Sequence, residues 1–315
     1  MEEDIISKKA LKNHKINLDP TGLYSRYGCM IIFEDNQAKN SLRYKLEIKY
    51  LGKSDSNSNI FQINRNTDIY INDKLPESSM DELASKVSQV IYPLELETNK
   101  NGTLKSVTNF NEIQDRWSVL KKELKKYYKG ETTDSYIKLN DKTLSISELF
   151  FNKIKQDWFL HLFFAPVYVS YTDSRYVFDK PKYYIAGNAG LVEYDAKKIL
   201  EENTSGPIHF VKINGTINDQ RCALDLEQEL KFPYYKTLNS DEKPLEGTCN
   251  VTYGIHKDTG VIQGIEAFFE TKFVQPKKIT VKMFSLDKLE EIETPEEEKE
   301  VENGFWSRFF KKSNK

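Results

Sequence analysis

From Leu42 to Tyr50 the chain alternates: Leu42, Tyr44, Leu46, Ile48 and Tyr50 are separated by Arg43, Lys45, Glu47 and Lys49. A period of two places the five apolar residues on one side of a strand, so the pattern predicts an antiparallel strand with one buried and one wet face. Pro93 to Thr98 repeats the alternation, and Asn101-Gly102 then supplies the dipeptide that best tolerates the positive φ values of a type I′ hairpin turn, with Leu104 and Val107 on the return. There the period changes. Ile113, Trp117, Leu120, Leu124 and Tyr127 or Tyr128 recur every three or four residues, a stripe along a helix that begins near Phe110. Asn109 is the expected N-cap, Glu112 reaches back to it, and Gly130 provides the left-handed C-terminal cap. Ile91 to Gly130 thus reads as a hairpin with a helix packed across it.

The same signals extend along the chain. Short strands are expected at Cys29 to Glu34, Ile60 to Ile63, Asp68 to Ile71 and Tyr136 to Leu139. Ser79 with Glu82 marks a second helix carrying Leu83, Val87, Val90 and Ile91. Ser145 with Glu148 marks a third, which passes through Phe150, Ile154 and Trp158, becomes apolar on every side and ends at Pro166. From Val167 to Leu286 the pattern is almost wholly β, including Cys222 to Lys231, a hairpin turn at Asp258-Thr259-Gly260, and one or two helical turns at Asp195 to Glu202. Strands at close spacing with helices grouped between them predict an α+β fold, a large curved antiparallel sheet with about three mid-chain helices on one face. The expected organisation is a polar arm over 1–28, hairpins and helices over 29–173, a β-rich half over 174–288 continuous with it, and a C-terminal tail over 289–315.

Composition narrows the function classes. With 315 residues, 38% of them hydrophobic, the chain can bury a substantial core, and a net charge of −2 gives no basic field for a nucleic-acid partner. Cys29, Cys222 and Cys249 are an odd number without CxxC spacing, which argues against a disulfide framework or a zinc site and favours a reducing compartment. Met1-Glu2-Glu3-Asp4 is unlike the cationic start of a secretory signal, so a cytoplasmic location is expected. The longest apolar stretch, Trp158 to Val169, falls short of the roughly 20 residues that span a bilayer.

Catalytic motifs are missing: HExxH, GxSxG, a Walker loop and GxGxxG after a strand do not occur, and His14, His161, His209 and His256 are far apart. No metal or cofactor is expected. Asp225, Glu227 and Glu229 alternate with leucines, the wet face of a strand in the simplest reading; an enzyme assembled from Asp225, Glu227 and His209 is the alternative. Trp117 belongs to the helical core stripe, with a ligand wall as its other reading, and Tyr183, Tyr184, Tyr234 and Tyr235 make a candidate recognition face.

The tail carries the sharpest expectation. Eight glutamates stand between Glu290 and Glu302, a solvated spacer, and Phe305, Trp306, Phe309 and Phe310 follow with Arg308, Lys311 and Lys312 around them. Such a peptide has no core of its own. Docking on a protein partner is favoured over docking on this chain's own body, and both over a membrane surface, which the glutamates would oppose if anionic. The leading functional expectation is a non-enzymatic cytoplasmic adaptor. The strand, Asn-Gly turn, strand and Asn-capped helix of Pro93 to Tyr128 also resembles the pattern of lipoprotein-carrier-like proteins, and that resemblance implies a curved sheet closed by helices that holds an apolar ligand.

Overall fold

The computed structural model describes residues 14–75, 77–203, 206–239, 241–273 and 276–287. The alternating stretch lies within β3 (Lys39–Lys53), paired between β2 (Tyr24–Glu34) and β4 (Asn59–Ile71). β4 joins the two short strands expected at 60–63 and 68–71; its pairing to β3 shifts between Ile69 opposite Tyr44 and Arg65 opposite Leu46, so the intervening residues bulge. β5 (Leu94–Thr98) and β6 (Leu104–Val107) continue this meander to one edge of the sheet. A second meander contains β10 (Val192–Glu201), β11 (Ile208–Ile217), β12 (Gly247–His256), β13 (Ile262–Thr271) and β14 (Lys277–Ser285). The other edge is β8 (Tyr176–Asp179), with β9 (Lys182–Tyr183) also paired to β10. β14 pairs with β2, Val281 opposite Ile31, and fuses the meanders into one curved, unclosed antiparallel sheet of 12 strands. β1 (His14–Lys15) and β7 (Ser170–Tyr171) form a separate pair.

Seven helices occur among the described residues, five of them between β4 and β7: α1 (Ser79–Gln89), α2 (Phe110–Tyr127), α3 (Glu131–Thr143), α4 (Ser147–Ile154) and α5 (Trp158–Phe163). The strand expected at Tyr136 to Leu139 is part of α3. Pairing with α2 decides this: Trp117 Nε1 donates to Asp141 Oδ1 at 2.8 Å and Lys121 Nζ meets Asp141 Oδ2 at 2.5 Å. Such contacts outweigh a four-residue β preference. The stretch expected as one helix up to Pro166 is two, because Asp157 caps a new start, its Oδ1 accepting from Leu160 N at 2.9 Å. Other caps differ as well. Ser78 rather than Ser79 caps α1, accepting from Asp81 N. Asn109 does not cap α2; its side chain accepts from Glu95 N and donates to the Pro93 carbonyl, tying the helix to β5. In the Asn101-Gly102 turn only Gly102 takes positive φ, 94°, so the turn is not type I′.

Every second residue of the long strands enters the core. α5, apolar all round, touches strands from both meanders: Tyr27 of β2 packs edge-on to Phe159 and Phe163, Trp158 lies 5.1 Å from Phe269 of β13, and Tyr253 of β12 donates to the Leu162 carbonyl. These strands fall within four neighbouring positions of the sheet, β2-β14-β13-β12, so α5 packs across the junction of the two meanders. Packing there is close: the gap between Phe61, Phe163, Phe164 and Tyr168 holds about 10 Å³.

Candidate functional site

The chain leaves α5 through the gap between the two sheet edges, since Pro166 has no N–H with which to prolong the helix. On one side the Ala165 carbonyl lies against Gly102 in the β5–β6 turn; a Cβ there would stand 3.1 Å from that oxygen. On the other, the Pro166 carbonyl accepts from Lys198 Nζ of β10 at 2.7 Å. Beside this segment lies a cleft of about 280 Å³. Thr103 and Leu104 line it from one side and Asp179 to Tyr183 from the other, with Leu160, Phe164 and Ile213 among the apolar groups of its lining.

The charges of the cleft are held in place. Lys198, only 2% exposed, occupies a core-facing position of β10 between Ala196 and Leu200, and its ammonium also meets Asp179 Oδ2 at 2.6 Å. A buried ammonium is tolerable when paired and hydrogen-bonded, and this one has both a carboxylate and a carbonyl. Lys180 and Lys182 stand at the rim, each within 3.3 Å of Glu193, and Lys180 also approaches Asp195. Lys155 covers the Phe151 ring at 4.6 Å. The lining thus carries four lysines and one carboxylate, Asp179, while Glu193 and Asp195 pair with the rim lysines from outside it, and the balance stays positive.

His161 sits at the same wall. Its Nε2 lies 2.8 Å from the Lys182 carbonyl, an atom that only accepts, so Nε2 carries the proton. Burial lowers the imidazole pKa below its ordinary value, opposed by the nearby Lys182 and Lys155 carbonyls. The ring meets Tyr183 and Tyr184 edge-on at 5.7 and 5.3 Å. Tyr183 is buried and packs on Tyr194 and Phe269, whereas Tyr184 borders a second, more polar hollow with Trp158 and Phe33.

The other candidate residues are dispersed. Trp117 is buried between α2 and α3 and is core. Tyr234 and Tyr235 belong to the β11–β12 connection, which carries α6 (Ala223–Glu227) and α7 (Tyr234–Leu238) where a strand over Cys222 to Lys231 was expected. The reason is Asp225, whose carboxylate is fully buried and accepts from Cys222 N at 3.0 Å and Tyr235 N at 2.6 Å. Arg221 secures the same connection by donating to the carbonyls of Ala189, Leu191 and Leu230 while pairing with Asp219 at 2.6 Å. His209, near the opposite end of β11, is about 25 Å of strand from Ile217, so Asp225 and Glu227 do not meet it. Phe305, Trp306, Arg308, Phe309, Phe310 and Lys311 lie outside the described residues.

Lys198 and Asp179 were not legible as a site. Reading Asp195 to Glu202 as helical turns hid the strand alternation of Tyr194, Ala196, Lys198 and Leu200, the one signal that sets a lysine on an apolar face. Among the described residues no three His, Cys, Asp or Glu side chains gather as a metal would require, and no helix is long and apolar enough to cross a membrane. No protein-family model matches the chain, and no curated protein matches it.

Proposed function

We propose that the protein is a non-enzymatic binding protein that holds a small amphipathic acid, an apolar body with an anionic head, in the cleft between its sheet edges. The observation that carries this reading is an apolar lining joined to a positive charge balance, with Lys198 buried and held by Asp179 and the Pro166 carbonyl. The gap between Phe61, Phe163, Phe164 and Tyr168 holds only about 10 Å³, too little for a ligand, whereas the cleft at the seam is open to one. The cleft's 280 Å³ falls at the small end of ligand sites, usually about 300 to 1,000 Å³, which suits one medium-length chain or an aromatic acid and not a two-chain lipid.

Calorimetric titration with decanoate and with decylamine tests the reading. Decanoate is expected to bind with a Kd on the order of 10⁻⁵ M, and decylamine at least about ten-fold more weakly because its head meets the lysines. Replacing Lys155 and Lys182, both at the solvent side, by Gln weakens decanoate binding several-fold without loss of fold. Equal affinity for the two heads, or none for decanoate, contradicts the proposal.

A further inference from the structure

The α6–α7 connection ends in an apolar surface that the body leaves open: Phe232 is 57%, Tyr234 47% and Leu238 68% exposed. The three fall within seven residues, and the Tyr234 ring meets those of Phe232 and Tyr235 edge-on. Arg221 donates to the Leu230 carbonyl and Asp225 accepts from Tyr235 N, so the segment under the patch is tied to buried side chains. Around it Glu227, Glu229, Asp241 and Glu242 are exposed, against Lys231, Lys236 and Lys243. Four acids against three lysines give this aromatic surface a slight acidic excess, which suits a basic, aromatic peptide.

We propose that the patch is the docking site of the chain's own C-terminal segment, with Phe305, Trp306, Phe309 and Phe310 covering Phe232, Tyr234 and Leu238. Charge agrees: residues 303–315 contain Arg308, Lys311, Lys312 and Lys315 and no acid. Reach agrees too. Asp287 bonds to Ser25 and Arg26 at the far end of β14, whose nine residues put the patch about 30 Å up the sheet and two strands, about 10 Å, across. Eighteen residue steps to Phe305 span up to about 60 Å. Tethering selects this occupant over a second copy, because a linked segment acts at an effective concentration on the order of millimolar. A protein partner of the tail then has to displace it from the body. The cleft takes no part in this inference.

Hydrogen exchange read by mass spectrometry decides it, comparing the full chain with a full-length F305S/W306S/F309S/F310S variant. The amides of 232–239 are expected to exchange about ten-fold more slowly in the wild type, at every protein concentration and with a monomer in sedimentation. F232S/L238S, which changes only exposed side chains, removes the dependence on the tail. Equal exchange in wild type and tail variant overturns the proposal. So does protection that grows with concentration, which would mean a second copy, or tail-dependent protection confined to another part of the body.

Discussion

Tyr194 is wholly buried, yet its hydroxyl has no hydrogen-bond partner among the described residues. A stranded buried donor costs about 1 to 3 kcal/mol, whereas a phenyl ring at the same place has nothing to satisfy. Y194F is therefore expected to be neutral or stabilising by up to about 1 kcal/mol in urea unfolding, and a clear loss would reveal a partner for the hydroxyl. His161 gives a pH dependence of definite sign. Its folded pKa is lowered by burial and its unfolded pKa is about 6.5, so its contribution is complete above that value and is lost as pH falls, because the unfolded ring takes up the proton first. Burial lowers the His209 pKa as well, with the same sign. Between pH 7 and 5.5 the wild type should lose stability with a steeper slope than H161Q; parallel slopes would place His161 outside this effect.

At the scale of elements, two links bind irregular segments to the sheet. Arg221 satisfies three carbonyls and a carboxylate from inside the α6–α7 connection, so R221A strands four acceptors. Breaking a buried pair in this way costs about 3 to 5 kcal/mol. A loss below about 1 kcal/mol in urea unfolding of R221A would show that water replaces the guanidinium. Gly260 has φ of 69°, and a Cβ on it would come within 2.0 Å of the Asn17 carbonyl oxygen. G260A should cost about 3 kcal/mol, from strain and from displacing the segment that Asp19 N fixes to the Thr259 carbonyl. Hairpins such as β12–β13 were legible because alternation and turn chemistry are local. Tyr136 to Leu139 and Cys222 to Lys231 were misread for the converse reason. Short apolar runs fit strand and helix alike, and the choice was made by Trp117, Lys121 and the buried carboxylate of Asp225.

In the whole molecule, the α+β class and the curved antiparallel sheet follow from local alternation, but the order of strands does not. The β2–β14 pair joins residues about 250 positions apart, Ile31 with Val281, and no short-range pattern announces it. That pairing brings β6 and β8 to opposite sides of one cleft, so the seam and its Lys198–Asp179 pair could not be read from the chain. Its position also sets an apolar ligand site beside the sheet face on which α5 packs: the cleft opens where the edges stop. The chain carries four histidines, and among them His161 lines the cleft while His14, His209 and His256 lie elsewhere. Side-chain NMR of these four imidazoles during a decanoate titration is the most direct test of the ligand site. Saturable movement of the His161 resonances, with the other three unmoved, is the predicted result. A titration that leaves His161 unchanged, or that moves another histidine instead, contradicts the assignment of the cleft as the binding site.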